Sequence, residues 1–512
     1  MNTLKPVGRR AAAVLAAALA LGAIVASAPA VAQQTLKVGT WGMPGSKGDP
    51  FKARGTPSVF TWSPMFDRLT LISGKGEIGP DISSGWTNVS PTTWRFTLKE
   101  GGTFHNGEKF DAAAVKATFD YLMTDEGKAT AVGQWINELA STSVVDDKTI
   151  EFVTKTPTPI WPTRLAVVFI VAPKAWKDLG AGGFAAAPIG SGPYKMTRLA
   201  PESASFDAHE GSIRKRGNIS KLEIIGLPEA PTRVQALMSG QIDIDTDVSV
   251  DNLAGLKAQK FVVDSTPGSQ VHGISFLTTK EGSPWRDRRL RQAANYAVNK
   301  QAIVDNIYGG QAGVASQHAS PLSFGYNPDV KPYPYDPAMA KKLLAEAGFP
   351  NGVDLTINVV HTTMTLTNAT QQVAADLGAV GIRTNLISIP IPELIGKFLN
   401  GGWAPEVQAF NVGTDHTGHL DAGVGFSSFY SCAKKVQVDC DEAQMPLINA
   451  AAGEFDVAKR RQNLRDVLKM NHDHAPLIFM AETKINMAMH PKVKNFRNDV
   501  FILNYNEMRI EP

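Results

Sequence analysis

Apolar and polar residues alternate along this chain with two periods, and each period predicts one kind of element. Alternation with a period of two indicates half-buried strands, and apolar residues three or four apart indicate amphipathic helices. Strand patterns occur at 35–41, 93–99, 149–155, 221–227, 270–277, 353–360 and 382–389. Helical patterns occur at 111–123, 288–308, 336–349 and 367–381.

Capping residues support these helices. Asp111 is placed to cap the first one, and Pro337 lies in the first turn of the helix at 336–349. The helix at 288–308 is the longest, and we expect it to run unbroken to Gly309. Because helices alternate with strands from about 288 to 390, the pattern predicts βαβ units and an α/β domain.

The first 32 residues have the pattern of a secretory signal. Lys5, Arg9 and Arg10 precede an apolar run at 11–26, and a small-residue site follows at 30–32. The run is about 16 residues long, short of the roughly 20 that span a bilayer. We therefore predict export to the periplasm with cleavage after Ala32; the alternative is a retained membrane anchor.

Composition narrows the classes of function. The mature chain of about 480 residues suggests two or three domains. Its formal charge of +3 falls to near zero once the three basic residues of the signal are removed, and no basic stripe indicates a nucleic-acid partner. An exported protein meets no pool of ATP or nicotinamide, so we expect no cofactor.

Two cysteines, Cys432 and Cys440, lie close together in the sequence. In an oxidising compartment this pair predicts a local disulfide. The alternative is a pair of free or metal-binding thiols, although no histidine lies beside them at zinc-finger spacing.

Catalytic motifs are missing from the sequence. It contains no G-x-S-x-G, no H-E-x-x-H and no phosphate-binding P-loop pattern. His472 and His474 could bind a metal but are better interpreted as a polar helix end, and His416 and His419 as solvated loop residues. His105 is expected to be a packed turn histidine. We predict no catalytic and no metal-binding residue, and a secreted hydrolase is a minor alternative.

Six blocks, in order, resemble one family. Gly190, Gly192 and Pro193 form one of them, a turn that we expect to need permissive backbone angles. The blocks lie at 65–86, 94–119, 188–196, 236–244, 288–310 and 335–349. With them the chain resembles the family-5, peptide/nickel class of periplasmic solute-binding proteins, the extracytoplasmic partners of ABC importers.

The resemblance implies an α/β fold of the two-lobed periplasmic-binding-protein type (type II, cluster C-like). An extra inserted domain and a central ligand cleft are part of that fold. The implied ranges are a signal peptide at 1–32, a discontinuous first lobe at 34–60, 186–272 and 481–512, an inserted domain at 61–185 and a second lobe at 273–480. Crossings near 272 and 480 would form the hinge, on which the lobes close over a solute.

Ligand contacts are also implied by position in the family. The loop after the first strand, the inserted domain and strand ends of the second lobe supply them. The residues at those positions are Trp41, Ser58, Val59, Phe60, Trp135, His361, Asn411, Asp415 and His416. Aromatic walls with a few polar groups suit a solute cleft, although Trp41 and Trp135 could equally be core residues. Asp415 lies where peptide-binding relatives place an ammonium-binding carboxylate.

The expected function is capture of a small solute, with a di- or oligopeptide as the first choice, and its delivery to a membrane permease with ATPase subunits. The sequence departs from the peptide binders at Asn411, where they carry tryptophan and the nickel branch carries histidine. A sugar derivative, an opine-like conjugate or chelated nickel therefore remain alternatives, as does a purely chemosensory receptor. We expect a monomer.

Overall fold

The computed structural model describes residues 1, 3, 34–52, 55, 57–414, 419–433, 436–499 and 502–511. Its strands are β1 Thr35–Thr40, β2 Thr70–Ile72, β3 Ile78–Pro80, β4 Ser83–Ser90, β5 Thr93–Leu98, β6 Leu139–Asp146, β7 Thr149–Thr154, β8 Tyr194–Ala200, β9 Ser203–Ala208, β10 Lys221–Gly226, β11 Ile244–Asp245, β12 Val262–Phe276, β13 Gly313–Val314, β14 Val353–Val359, β15 Ile382–Ser388, β16 Val407–Thr414, β17 Leu477–Met489, β18 Val493–Lys494 and β19 Arg509–Ile510.

Helices occupy both halves of the described chain. They are α1 Ser58–Trp62, α2 Ala112–Leu122, α3 Asp125–Ala129, α4 Trp161–Leu165, α5 Pro173–Ala186, α6 Ala230–Met238, α7 Val250–Ala258, α8 Arg288–Ala297, α9 Lys300–Asn306, α10 Pro337–Glu346, α11 Met364–Ala379, α12 Ile391–Asn400, α13 Ala422–Phe429, α14 Met445–Gly453 and α15 Val457–His474. Short 3-10 turns lie at Gly133–Ile136 and Pro284–Arg286. No helix in these described ranges is both long and apolar enough to cross a bilayer.

One mixed sheet runs through the molecule. Its order across the described strands is β15-β14-β16-β12-β17-β11-β1-β10-β9-β8, and β13 pairs with β17 beside this path. β14 is parallel to both β15 and β16, with α11 as the crossover between β14 and β15. This arrangement confirms the predicted βαβ unit and α/β domain. A separate antiparallel sheet, β4-β5-β7-β6, covers the 83–154 region.

The long strand β17 joins two hydrophobic cores, and β12 pairs with it along most of its length. The first core, around Leu36, Phe66 and Phe96, includes Met487 and Met489 from the end of β17. The second core, around Leu355 and Leu377, includes residues from the start of β17. The pairing of β12 with β17 is irregular between Pro267 and Val271 and again between His272 and Gly273. The register between the two strands therefore shifts near the place where β17 passes from one core to the other.

The first core draws on several of the ranges that the sequence separates. Leu36 and Val38 of β1 belong to it together with Phe96 of β5 and Phe152 of β7. Side chains predicted for the first lobe and for the inserted domain are thus packed into one apolar cluster. The domain boundaries themselves remain predictions.

The predicted helix at 288–308 is wrong in one respect, because it is broken at Val298. α8 ends at Ala297, and Val298 has extended backbone angles (φ −92°, ψ 124°). Asn299 then caps α9, its side chain accepting a hydrogen bond of 3.1 Å from the amide of Ala302, while its own amide donates to Asp376 of α11 at 2.9 Å. The break follows from that distant contact. By contrast, Asp111 caps α2 as predicted, with 3.0 Å to the amide of Ala114.

The glycines of the 188–196 block serve close packing, which corrects the expectation of permissive angles. Neither Gly190 nor Gly192 has a positive φ. A Cβ on Gly190 would lie 1.9 Å from the carbonyl oxygen of Met65, and one on Gly192 would lie 2.6 Å from that of Pro64. The chain touches itself here, so only glycine fits.

This junction joins three of the sequence blocks. Asp67 accepts hydrogen bonds from Ser191 Oγ at 2.7 Å and from Arg214 Nε at 2.6 Å. His105 lies 3.0 Å from the carbonyl oxygen of Gly192, and burial lowers its pKa to about 3. The interpretation of His105 as a packed turn residue is confirmed.

Candidate functional site

Three parallel strands end at the same edge of the main sheet. β14 ends at Val359, β15 at Ser388 and β16 at Thr414. In open α/β sheets the carboxyl ends of parallel strands form the usual ligand-binding edge. The segment that follows β14 carries His361 at this edge, whereas Asp415 and His416, which follow β16 in the sequence, lie outside the described residues.

His361 is exposed at this edge. One ring nitrogen lies 3.1 Å from Thr367 Oγ1 and the other 3.0 Å from Ser388 Oγ. These two hydroxyls hold the ring across the ends of β14 and β15. The position of His361 is thus compatible with a role at the strand edge.

Asn411 is fully buried within β16. Its side-chain oxygen accepts from the amide of Val360 at 2.8 Å, and its side-chain nitrogen donates to the carbonyl of Val360 at 3.0 Å. The amide group fastens the end of β14 to β16. Its predicted role as a ligand contact stays a prediction, as do those of Asp415 and His416, which lie outside the described residues.

Trp135 meets the end of the predicted ligand loop. It lies in the 3-10 turn Gly133–Ile136, and its ring stacks on His419 with centroids 4.3 Å apart and planes inclined by 23°. The guanidinium of Arg164 lies 5.6 Å from the indole centroid and pairs with Glu138 at 3.0 Å. Two segments far apart in sequence therefore meet here, and His419 is buried, which corrects the expectation of a solvated loop residue.

The remaining predicted contacts surround the end of β1. Trp41 follows β1 directly and leaves 46% of its surface exposed, unusual for so large an apolar side chain. Ser58 and Phe60 of α1 are buried, and Val59 is half-buried. The Tyr505 hydroxyl donates to the carbonyl of Phe60 at 3.1 Å, which fixes α1 against the chain terminus. Trp41 is the member of this group that is available to a solute.

Sequence reasoning missed Glu482, which lies in the centre of β17. Burial raises the pKa of its carboxyl to about 7. The Tyr326 hydroxyl donates a hydrogen bond of 3.3 Å to Oε1. The sequence offered no signal for it, because its neighbours across the sheet come from distant strands.

Cys432 and Cys440 form a disulfide, with Cα atoms 4.8 Å apart. The predicted bridge is thus present in the structure, and it anchors the segment between α13 and α14. In the described residues one group of three metal-ligating side chains is found, these two cysteines with Glu442. Its sulfurs are already bonded to each other.

His472 and His474 occupy the last turn of α15, as the helix-end interpretation predicts. His472 Nδ1 lies 2.8 Å from the carbonyl oxygen of Ser316, and His474 Nε2 lies 2.8 Å from Asp439. Each ring thus bonds a different neighbour, and both belong to the packing of the helix end.

Solved structures share this fold along almost all of the chain. HbpA2 from Haemophilus parasuis superposes with a TM-score of 0.81 at 22% identity, covering 94% of this chain and all of the other. DppA from Helicobacter pylori, in complex with the peptide STSA, superposes with a TM-score of 0.78 at 21% identity, covering 94% of this chain and 98% of that one. The two-lobed, type II α/β fold predicted from the sequence is confirmed.

Sequence comparison identifies the family. The dipeptide-binding protein of Escherichia coli (strain K12) is 26% identical over 505 residues, 92% of this chain and 93% of the relative. Heme-binding protein A of Haemophilus influenzae is 26% identical over 468 residues, 85% of each. Residues 77–433 match the model of the bacterial extracellular solute-binding proteins, family 5 middle region. The chain belongs to family 5 of the bacterial extracellular solute-binding proteins.

Proposed function

We propose that this protein captures a di- or oligopeptide in the cleft between its two lobes and delivers it unchanged to an ABC importer. The observation that carries the proposal is the contact between Trp135 and His419, which brings the 61–185 range against the strand-edge loop of the 273–480 range. Similarity to a dipeptide-binding relative over nine-tenths of the chain supports peptide as the solute.

Capture requires the lobes to move, and β12 with β17 are the proposed hinge. Their pairing is irregular between Pro267 and Val271 and between His272 and Gly273, so backbone rotation there would break fewer ladder hydrogen bonds than in a regular segment. The observed stacking of Trp135 on His419 would belong to the closed form, in which the solute lies between Trp41 and the strand edge, and opening would separate the two rings. A solute shifts this equilibrium by binding the closed form more tightly than the open form.

Asp415 is proposed to pair with the amino terminus of the peptide. A closed cleft excludes water, so a charge pair there is stronger than at a surface. Asp415→Asn should weaken binding of trialanine roughly a hundredfold, equivalent to about 3 kcal/mol. Asp251→Asn, at an exposed position in α7, is the matched control and should bind like the parent. Equal affinities for all three proteins in calorimetry would show that Asp415 does not bind the peptide.

Export, oligomeric state and partners complete the proposal. We infer cleavage after Ala32, so intact-mass analysis of periplasmic protein should find Gln33 as the first residue. The protein is proposed to act as a monomer, to hold no cofactor, and to dock a permease that works with ATPase subunits. It is proposed to perform no chemistry on its solute.

Small-angle scattering tests capture by closure. Ligand-free protein should bind trialanine with a dissociation constant on the order of micromolar, which corresponds to a binding free energy of about −8 kcal/mol. Its radius of gyration should fall when trialanine is added and stay constant when an equal concentration of free alanine is added. Binding without compaction would contradict the hinge, and no binding would contradict peptide as the solute.

A further inference from the structure

Glu482 lies at the point where β17 leaves the second core for the first. Met480 and Ala481 belong to the second core, whereas Met487 and Met489 belong to the first. β12 pairs with β17 through this passage, and the register between the two strands is irregular after Pro267. A residue at this point lies between the two cores. A cleft between the two lobes would border the strands here.

The sheet register places Glu482 close to the predicted ligand loop. Thr414, Val271, Glu482 and Gly313 form one row across β16, β12, β17 and β13. Neighbouring strands are about 4.8 Å apart, so the backbone of Glu482 lies about 10 Å from Thr414. Thr414 is the last described residue before the loop that contains Asp415.

The carboxylate of Glu482 has one hydrogen-bond donor among the described side chains, the Tyr326 hydroxyl at 3.3 Å. No cation among the described residues contributes to the pKa of Glu482, and Lys484, two residues further along β17, is exposed. On β13, a Cβ at Gly313 would lie 2.8 Å from Oε2. Glycine thus leaves room for the carboxylate, yet no residue that the structure describes around it supplies a positive charge.

The titratable groups that lie beside Glu482 on the packed elements, Tyr326 and His272, are neutral near pH 7. Burial raises the pKa of Tyr326 to about 12. On β12, burial lowers the pKa of His272 to about 4, and its ring nitrogens lie near Tyr308 and Gln270. Gly313 of β13 carries no ionisable group. A partly desolvated carboxylate in such surroundings is stabilised by a proton or by a cation from outside the chain.

We propose that Glu482 contacts the captured solute and pairs with an ammonium group on it. This assignment rests on the proposed function and narrows its substrate class to solutes with a cationic group. The ammonium could come from the amino terminus of a peptide or from a lysine side chain, and the two sources are separable by experiment. Binding would replace the proton on Glu482 with the cation of the solute.

Four peptides and two substitutions test the assignment. Trialanine is compared with N-acetyl-trialanine, and Ala-Lys-Ala with its Nε-acetyl form, in calorimetry at pH 8. The parent should prefer the free amine at least tenfold in one pair, as expected when a desolvated charge pair is broken. Glu482→Gln should reduce that preference to under twofold in the lysine pair, and should reduce it at least fivefold in the amino-terminal pair, where Asp415 would still contribute. Glu281→Gln, at an exposed position, should keep it.

The pH dependence provides a second readout that a purely structural role would not change. Affinity of the parent for the preferred amine should fall as pH drops from 8 to 6, because protons compete for Glu482. The affinity of Glu482→Gln should not change over this range. The hydrogen bond from Tyr326 lowers the pKa of Glu482, so Tyr326→Phe should move the midpoint of this profile to higher pH.

Each outcome is decisive. Loss of preference in the amino-terminal pair identifies the peptide terminus as the partner, and loss in the lysine pair identifies the side chain. If Glu482→Gln keeps the preference and the pH profile of the parent, the assignment is overturned while peptide capture stands. If the parent binds none of the four peptides, the proposed function fails and the assignment is withdrawn with it.

Discussion

Two carboxylates in this protein lie in very different surroundings, Asp67 in the first core and Glu482 between the cores. Asp67 is fully buried and satisfied by its own chain, with Arg214 at 2.6 Å and Ser191 at 2.7 Å. Glu482 has the Tyr326 hydroxyl at 3.3 Å and no cation from the described residues. A carboxylate that holds the fold is paired internally, and one left without a cation is available to a solute.

The strongest test of this contrast is removal of charge at Asp67. Asp67→Asn would leave the Arg214 guanidinium buried without its counter-ion, so the free energy of unfolding should fall by about 3–5 kcal/mol in urea titration. Asp354→Asn is the control, since its pair with Arg383 is well exposed and should contribute about 0–1 kcal/mol. Equal losses would mean that burial does not set the strength of these pairs.

The second test concerns the packing around Asp67. Gly190→Ala would place a methyl group 1.9 Å from the carbonyl oxygen of Met65. The strain of overpacking should lower stability by about 1–3 kcal/mol. Gly255→Ala, whose Cβ would meet no atom within 4 Å on helix α7, should instead be neutral or stabilising by up to about 1 kcal/mol. Thermal unfolding of the two variants would measure the difference in stability. If Gly190→Ala is as stable as the parent, close approach of the backbone is not the reason for that glycine.

The smallest expected effect is on Glu482 and depends on pH. Its pKa is raised from 4.5 to about 7 in the folded protein, so the folded state binds the proton more tightly than the unfolded state. Its contribution to stability is full below about pH 4.5 and is lost as pH rises through 7. At pH 8, emptied Glu482→Gln should therefore be more stable than the parent by about 1 kcal/mol, after allowance for partial solvent screening.

The same comparison at pH 4.5 is the control for Glu482. The parent is protonated there, so the parent and Glu482→Gln should unfold at nearly the same denaturant concentration. A constant difference at both pH values would mean that the substitution acts through packing, and the contrast with Asp67 would lose its electrostatic basis.

Local features were predictable from the sequence, and long-range features were not. The cap at Asp111 and the βαβ unit at 353–388 depend on neighbouring residues, and the structure has both. The break at Val298 depends on a contact between Asn299 and Asp376, which no local pattern carries. The role of Gly190 was misassigned because its constraint is the distant Met65.

The residues of the candidate site show the same difference between local and long-range features. Trp135 was predicted from its position in the family, but its stacking on His419 requires the fold. Glu482 could not be found at all, because the row that links it to Val271 and Thr414 joins strands from distant parts of the chain. The sequence thus predicts contact residues at the strand edge, whereas only the register of the sheet shows that β17 lies beside them.

Mass spectrometry of the solute that is released when periplasmic protein is denatured shows directly what the protein captures. We expect an unmodified di- or oligopeptide with a free ammonium group, recovered in near-stoichiometric amount from the parent and at least tenfold less from Glu482→Gln. A solute that is no peptide, or a chemically altered product of a supplied peptide, would contradict capture of peptides by this protein.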